Sequence, residues 1–372
     1  MSTTEFDLHG RVAIRLVDAR PAEVAVVTRQ LGLTPTTLDR EPDLSIRFVD
    51  RLQPAGPVRF LGHQEAGFTD DAYLILRGRH KASVRVAMPM DAIGDGPCEI
   101  VSERGLPAVP QLIAVLNLTA LRRGLVPIHA GAFVHEGRGV LILGWAKGGK
   151  SETLLAFTAR GSRYVGDEWI YLDPESRRMY GLPEPMRVWD WQLRAMPELA
   201  GRVPAGARRR MTLTRGGVGV LRAIGSMPLV GRAAPGRLAT RFGVLLEGQL
   251  SVQVPTERLL GSPPLADGWG LDRLVLVMSH ASDEMAVGVA DPIDLARRAT
   301  ASFLFETAEL LAHYRRFRFA FPERSNPAIE DLEQRYEAAL VAAVRGVPAI
   351  TVAHPYPLDI PRLYEAIAPH LG

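Results

Sequence analysis

The sequence predicts a mixed α/β protein, and two observations carry that prediction. Short apolar segments with strand periodicity alternate with segments whose apolar residues recur every three to four positions. In addition, the continuous apolar run 140–143 leads into a glycine-rich loop followed by a helical pattern, an order typical of a strand buried in a parallel sheet. At 372 residues, the chain is long enough for two domains.

The N-terminal part, residues 1–107, is predicted to be a smaller α/β module, whose role the sequence does not reveal. Its strands are expected at 12–17, 45–49, 72–76, 83–88 and 99–101, with a helix at 21–31. The second domain, residues 108–372, is expected to open with a helix at 109–123 and to continue with a strand at 128–134 and the buried strand at 140–143. The glycine loop then starts a helix that runs to about residue 160.

Further strands are expected at 164–165 and 169–172, on either side of the acidic pair Asp167–Glu168. The segment 202–241 is rich in Gly, Pro and Arg, and it is expected to form a surface loop. The remaining elements are a strand at 271–278, helices at 292–317 and 327–346, a strand at 349–352 and a closing helix at 360–371.

The composition excludes several classes of protein. The net charge of +3 is too small to indicate a nucleic-acid partner. No run of about 18 apolar residues occurs, and the first ten residues lack a signal-peptide pattern. Because Cys98 is the only cysteine, neither an internal disulfide nor a cysteine metal cluster can form. We therefore expect a cytoplasmic protein that binds neither nucleic acid nor membrane.

The segment from Gly144 to Ser151 fits the pattern G-x-x-x-x-G-K-[ST]. Glycines allow successive backbone amides to turn toward an anion, and the positive end of the following helix faces the same point. In such a loop Lys150 reaches the outer phosphates of ATP and the Ser151 hydroxyl ligates Mg²⁺. A glycine-rich turn that matches by coincidence is the alternative, but a buried strand before the loop and a helix after it favour phosphate binding.

The use of lysine supports this interpretation. The chain has only three lysines, Lys81, Lys147 and Lys150, and every other basic residue is Arg. A phosphate cradle needs a compact point charge instead of a wide planar fork, which explains why Lys150 is not Arg. Two interpretations of Lys147 remain open: it helps to hold the polyphosphate, or it is a solvated charge at the tip of the loop.

The acidic pair Asp167–Glu168 comes after the first helix of the loop motif and a short strand. P-loop proteins commonly present an acid at this place toward Mg²⁺ or the attacking group, and a carboxylate there can take a proton from a substrate hydroxyl. We expect a functional role for Asp167, whereas Glu168 is explained equally well as an ordinary turn residue.

Together these residues resemble the HPr kinase/phosphorylase family, whose C-terminal domain is a P-loop kinase related in fold to the PEP carboxykinases. The resemblance covers about residues 126–172. It includes His129-Ala-Gly-Ala, the Gly-Lys-Ser-Glu-Thr run that starts at Gly149, and Gly166-Asp167-Glu168. It implies a P-loop kinase domain of the HPr kinase and PEP carboxykinase type, with ATP and Mg²⁺ as cofactors. It leaves homo-oligomerisation open, since that family includes ring-forming members.

The resemblance also implies roles for individual residues. The nucleotide site would comprise Gly144, Lys147, Gly148, Gly149, Lys150, Ser151 and Glu152, with Glu152 supporting the metal. Mg²⁺ would be held by Ser151 and Asp167, and the catalytic residues would be Lys150, His129, Asp167 and Glu168. Asp167 is the residue of the pair expected to act as catalytic base or metal-linked acid. Because the family usually has two Asp where this chain has Asp167 and Glu168, which carboxylate is the base stays open. A satisfied core histidine is the alternative for His129.

The chain lacks the family's segment for engaging HPr, and residues 181–187 occupy roughly that place. They resemble the proline-rich segment of smaller HPr-kinase-like enzymes that act on peptides or small metabolites. There Glu184 and Arg187 would line the acceptor site; an ordinary surface loop is the alternative. We therefore expect a hydroxyl of a small biosynthetic metabolite as acceptor, and a Ser or Thr of a peptide or protein as the second choice. A nucleotide-binding protein or ATPase without an acceptor is the rival hypothesis.

Overall fold

The computed structural model describes residues 3–78, 83–226, 250–261 and 265–372, with the backbone alone for residues 221–226. Within these residues helices alternate with strands that form four sheets, so the predicted α/β class is confirmed. No helix in the described part of the chain has the length and hydropathy needed to cross a membrane.

The N-terminal module contains an eight-stranded sheet. Its strands are β1 (Thr3–Leu8), β2 (Val12–Val17), β3 (Leu44–Val49), β4 (Arg59–Leu61), β5 (Ala66–Phe68), β6 (Tyr73–Arg77), β7 (Ser83–Ala87) and β8 (Cys98–Glu103), in the order β1-β2-β3-β8-β7-β6-β5-β4. Helix α1 (Pro21–Leu31) crosses from β2 to the parallel strand β3. Strands β4 and β5 could not be predicted, because three residues are too few to show an alternation.

Helix α2 (Leu112–Arg122) follows the module, and one strand of another sheet separates it from the first strand of a six-stranded sheet. This sheet consists of β10 (Gly131–His135), β11 (Arg138–Leu143), β12 (Arg163–Gly166), β18 (Arg273–His280), β19 (Ala286–Ala290) and β20 (Ala349–Pro355), in the order β12-β10-β11-β18-β20-β19. Strands β11, β18 and β20 run parallel to one another. Their carboxyl ends therefore meet at one edge of the sheet, where α/β proteins bind ligands.

A four-stranded sheet, in the order β17-β14-β13-β9, lies beside the six-stranded sheet. It is formed by β9 (Val126–His129), β13 (Trp169–Asp173), β14 (Arg178–Gly181) and β17 (Trp269–Gly270), while β15 (Met186–Trp189) pairs with β16 (Ser251–Val254). The single strand predicted at 128–134 is thus two strands in different sheets, separated at Ala130. The prediction was wrong because the apolar run continues through the break, and periodicity alone does not reveal a change of sheet.

The described part of the second domain also contains helices. They are α3 (Lys150–Thr158), α4 (Asp190–Ala195), α5 (Pro197–Ala200), α6 (Ala205–Ser226), α7 (Thr256–Leu260), α8 (Pro292–Ala320), α9 (Pro327–Glu330), α10 (Leu332–Val344) and α11 (Ile360–Ile367), followed by the 3₁₀ turn Ala368–His370.

The surface loop predicted at 202–241 is wrong for most of its described part, because α6 begins at Ala205. The exposed arginines and glycines of this segment concealed a narrow apolar stripe. Met211 and Val218, two turns apart, are buried while most residues around them are exposed. The rest of that prediction, residues 227–241, lies outside the described residues.

One hydrophobic core extends across the predicted domain boundary. The same apolar cluster contains Phe6 and Leu44 of the N-terminal sheet, Val126 of β9 and Phe303 of α8. A second cluster surrounds α3 and includes Phe157, which stacks on Phe133 of β10. The N-terminal module is therefore packed directly onto the domain that carries the glycine loop. The boundary at residue 107 itself stays a prediction.

Candidate functional site

The glycine loop joins the carboxyl end of β11 to the first turn of α3. Lys147 and Gly149 both have positive φ, 62° and 103°, and the amide of Gly148 donates to the carbonyl oxygen of Trp145 at 2.9 Å. Left-handed residues within a loop turn successive backbone amides toward a common side. Lys147 is exposed at the tip of the loop, and both interpretations of its role stay open.

Lys150 is buried, and its ammonium lies within the curve of this loop. Its Nζ donates to the carbonyl oxygens of Gly144 and Trp145, at 3.0 and 3.1 Å. Burial lowers the pKa of Lys150. The backbone is tightly packed here as well, because a β-carbon at Gly144 would lie 2.8 Å from the carbonyl oxygen of Val277 in β18.

His354, at the end of β20, also contacts the glycine loop. Its Nε2 lies 2.9 Å from the carbonyl oxygen of Gly148, and a β-carbon at Gly149 would lie 2.7 Å from the same nitrogen. The side chain is 2% exposed, so the contact is shielded from water. His354 was not predicted as part of the site; its position just after an apolar strand near the end of the chain was the available signal.

The chain passes from the four-stranded to the six-stranded sheet between β9 and β10, and back to the four-stranded sheet between β12 and β13. The acidic pair lies in the second of these connections. His129 pairs with Trp169 in the four-stranded sheet, and Ala132 pairs with Gly166 in the six-stranded sheet. Between these pairs the amide of Ala130 donates to the carbonyl oxygen of Glu168 at 3.1 Å. This register places the predicted residues His129, Asp167 and Glu168 side by side.

The backbone of Glu168 is strained. Its φ is 64°, and the amide of Trp169 donates to the carbonyl oxygen of Asp167 at 2.8 Å. A hydrogen bond from residue i+2 to residue i around a positive φ forms a rare γ-turn. Strain of this kind persists only where the surroundings impose it, and it concentrates at functional sites.

Asp167 faces the start of α3. Its Oδ2 and Oδ1 atoms lie 3.0 and 3.2 Å from the Ser151 hydroxyl, which donates to this carboxylate. The side chain is buried. Burial, reinforced by the neighbouring charge of Glu168, raises the pKa of Asp167 to about 7. The loop hydroxyl predicted to bind a metal and the acid predicted to assist it are therefore in contact.

Glu168 has the opposite environment. Its carboxylate is 54% exposed, and its Oε2 lies 3.1 Å from Nε2 of His129. This hydrogen bond holds the pKa of Glu168 below its usual range, and the charges of His129, Lys150 and Arg187 lower it further. The pKa values of the two adjacent carboxyl groups are thus shifted in opposite directions. Such a difference lets one site use two carboxyl groups for different tasks.

Helix α8 completes the surroundings of His129. The Nδ1 atom of His129 lies 3.3 Å from Oγ of Ser302 and 3.5 Å from Oε1 of Glu306. Ser302 and Glu306 are one helical turn apart and therefore share a face of α8. Neither was predicted, because their spacing within a long amphipathic helix does not reveal what they contact.

The other predicted residues surround this centre. Glu152, in the first turn of α3, accepts a hydrogen bond from Nε2 of Gln192 in α4 at 2.7 Å. Arg187 is exposed on β15, and its charge contributes to the lowered pKa of Glu168. Glu184 is partly buried, and its charge helps to raise the pKa of Tyr164, although burial is the larger cause.

The N-terminal module contacts the predicted acceptor segment directly. Gly32, which ends α1, lies against Pro183 so closely that a β-carbon on it would be 2.0 Å from the Pro183 carbonyl oxygen. The ring of His9, in the turn between β1 and β2, stacks on Tyr180 at a centroid distance of 4.9 Å. Burial lowers the pKa of His9 to about 4, so the contact is made by a neutral ring near pH 7.

The donor atoms suit a cation that is shared with a phosphate chain. No group of three His, Cys, Asp or Glu side chains within the described ranges is arranged to hold a metal by itself. Ser151 and Asp167 offer adjacent hydroxyl and carboxylate oxygens, the hard ligands that Mg²⁺ takes together with water and substrate phosphates. These residues therefore fit a Mg²⁺–nucleotide complex.

No protein-family model and no curated protein matches the chain.

Proposed function

We propose that this chain is an ATP- and Mg²⁺-dependent kinase, a P-loop kinase of the HPr kinase and PEP carboxykinase type, that phosphorylates a hydroxyl of a small biosynthetic metabolite. The observation that supports this most is the contact between the Ser151 hydroxyl and the Asp167 carboxylate. This contact places the hydroxyl and carboxylate oxygens, which are hard metal ligands, at the start of helix α3. The loop that precedes this helix encloses the Lys150 ammonium.

The transfer requires little covalent chemistry from the protein. The acceptor oxygen forms a bond to the γ-phosphorus, and the bond to the β,γ-bridging oxygen breaks, so ADP leaves with the electron pair. The loop amides and Lys150 stabilise the charge on the phosphoryl group. Mg²⁺ held by Ser151 and Asp167 would neutralise charge on the phosphate oxygens.

The two carboxylates have different tasks in this proposal. Asp167, which accepts a hydrogen bond from Ser151, would hold the metal together with that hydroxyl. Glu168 takes the proton of the acceptor hydroxyl, because its carboxylate is half exposed, ionised at neutral pH and hydrogen bonded to His129. His129 in turn is oriented by Ser302 and Glu306.

The proposal is tested by label transfer from γ-labelled ATP with Mg²⁺ to an extract of the source organism, separated into small-molecule and macromolecular fractions. Label in a small compound with the wild type, but not with Asp167→Asn, is the expected result. Asp173→Asn is the matched control, since Asp173 is also a buried aspartate but is paired with Arg11.

Other outcomes separate the rival functions. Label only in the macromolecular fraction would replace the metabolite with a peptide or protein acceptor. ATP binding without label in either fraction would indicate a nucleotide-binding protein, and release of inorganic phosphate alone would indicate an ATPase. Transfer that Asp167→Asn leaves unchanged would contradict the role given to Asp167.

A further inference from the structure

Two large aromatic side chains are exposed together beside the glycine loop. Trp145 is 50% exposed and Phe305 is 53% exposed, and their ring centroids are 4.8 Å apart at an angle of 43°. Across the described ranges, this is the only ring contact in which both aromatic side chains are strongly exposed. Exposed aromatic surface of this kind commonly marks a binding site.

The position of the pair relates it to the proposed chemistry. Trp145 is the second residue of the glycine loop, and its carbonyl oxygen accepts from Lys150 Nζ at 3.1 Å. Phe305 precedes Glu306 on α8, whose carboxylate lies 3.5 Å from His129. The pair therefore joins the loop to the helix that supports His129, and through His129 it adjoins Glu168, the residue to which the proposed function assigns the proton of the acceptor.

We propose that Trp145 and Phe305 form a stacking subsite for a planar aromatic ring of the phosphate acceptor. The inference rests on the proposed function, and it narrows the substrate class to hydroxyl compounds that carry such a ring. The contacts of the pair lead through Glu306, the neighbour of Phe305, to His129 and Glu168, the residue to which the proposed function assigns the proton of the acceptor. The nucleobase of ATP is the competing occupant, and binding measurements separate the two.

The experiment measures the binding of an aromatic ring and the binding of phosphate with different compounds. Binding of 2-phenylethanol, and of its saturated counterpart 2-cyclohexylethanol, is followed by saturation-transfer NMR with wild type, Trp145→Ala and Phe305→Ala. Binding of ATP and of tripolyphosphate, each with Mg²⁺, is followed by calorimetry. Phe319→Ala is the matched control, because Phe319 is a 75% exposed phenylalanine on the same helix.

We expect the wild type to bind 2-phenylethanol better than its saturated counterpart. Each site variant should weaken that binding about 5- to 100-fold, the range found when a stacked aromatic is truncated, while Phe319→Ala does not. ATP and tripolyphosphate affinities should stay unchanged in Phe305→Ala and Phe319→Ala. Ring binding that survives both truncations would overturn the inference, and so would loss of ATP binding with tripolyphosphate binding retained, since the ring would then be the nucleobase.

Failure of the proposed function has a different signature. Lys150→Ala should abolish binding of ATP and tripolyphosphate but leave 2-phenylethanol bound. A wild type that binds neither phosphate compound would refute the kinase proposal, whereas the ring probes would still decide the role of Trp145 and Phe305.

Discussion

Gly32 of the N-terminal module is packed against the backbone of Pro183, at the start of the segment that carries Glu184 and Arg187. A β-carbon at Gly32 would lie 2.0 Å from the Pro183 carbonyl oxygen and 2.6 Å from the amide nitrogen of Glu184. No side chain fits there without a shift of one backbone relative to the other. The module therefore helps to set the position of the predicted acceptor segment.

The first prediction concerns this contact. Gly32→Ala introduces both a positive-φ alanine and a clash, whereas Gly124→Ala introduces only the positive φ, since nothing lies within 4 Å of a β-carbon there. Urea unfolding should show a loss of about 1 kcal/mol for Gly124→Ala and of at least about 3 kcal/mol for Gly32→Ala. Equal losses would contradict a tight contact between Gly32 and Pro183.

The second prediction concerns His354. His354→Leu removes the hydrogen bond to the Gly148 carbonyl oxygen, while His354→Gln keeps a donor of similar reach. A hydrogen bond of about 1 kcal/mol corresponds to roughly a fivefold loss in ATP affinity for the leucine variant, measured by calorimetry with Mg²⁺. The glutamine variant should retain most of the ATP affinity that the leucine variant loses. If both variants bind ATP like the wild type, the loop does not depend on His354.

The third prediction uses the pKa of Asp167 in metal-free protein. Folding raises this pKa from its ordinary value near 4 to about 7, mainly through burial. Between these values the unfolded chain has released the proton and the folded chain retains it, so Asp167 lowers the free energy of unfolding as the pH rises through this window. Relative to wild type, Asp167→Asn should gain stability as the pH rises from about 4 to about 7, and should keep that gain above it.

Glu168→Gln supplies the control of opposite sign. The pKa of Glu168 is lowered by His129, so ionised Glu168 contributes stability above its unfolded pKa and loses it as the pH falls through the folded value. Relative to wild type, Glu168→Gln should therefore lose stability as the pH rises from the lowered folded pKa to the unfolded value near 4, and the loss should stay constant above it. Urea unfolding in EDTA at several pH values measures both variants, and a flat difference for Asp167→Asn would contradict its raised pKa.

The fourth prediction separates metal binding from proton transfer. Asp167→Asn should raise the Mg²⁺ concentration needed for half-maximal ATP binding by roughly tenfold or more, because a ligand oxygen loses its charge. Glu168→Gln should leave that concentration unchanged and reduce transfer about 10²- to 10⁴-fold, the usual contribution of a general base. Calorimetry at graded Mg²⁺ and label transfer to the identified acceptor give the two numbers. The opposite pattern would exchange the roles of the two residues.

The sequence alone determined the local elements of this protein. Strand β2 and helix α1 were predicted with the bounds that the structure has, and the start of α8 with its residue. The order of strand, glycine loop and helix around Lys150 was predicted as well. These features depend on side-chain periodicity, on glycine and on helix-start residues within about a dozen positions, so the sequence states them directly. The places of Lys150 and Ser151 at the start of α3, and of Asp167 directly after β12, are among these features.

Only the tertiary structure decided which residues surround them. His129 meets Ser302, 173 positions away, and His354 meets Gly148, 206 positions away. The break of a predicted single strand into β9 and β10 places His129 beside Glu168, and the approach of Gly32 to Pro183 joins the module to the acceptor segment. Such partners are selected by the packing of the whole core, because strand register and helix placement depend on which faces are buried together.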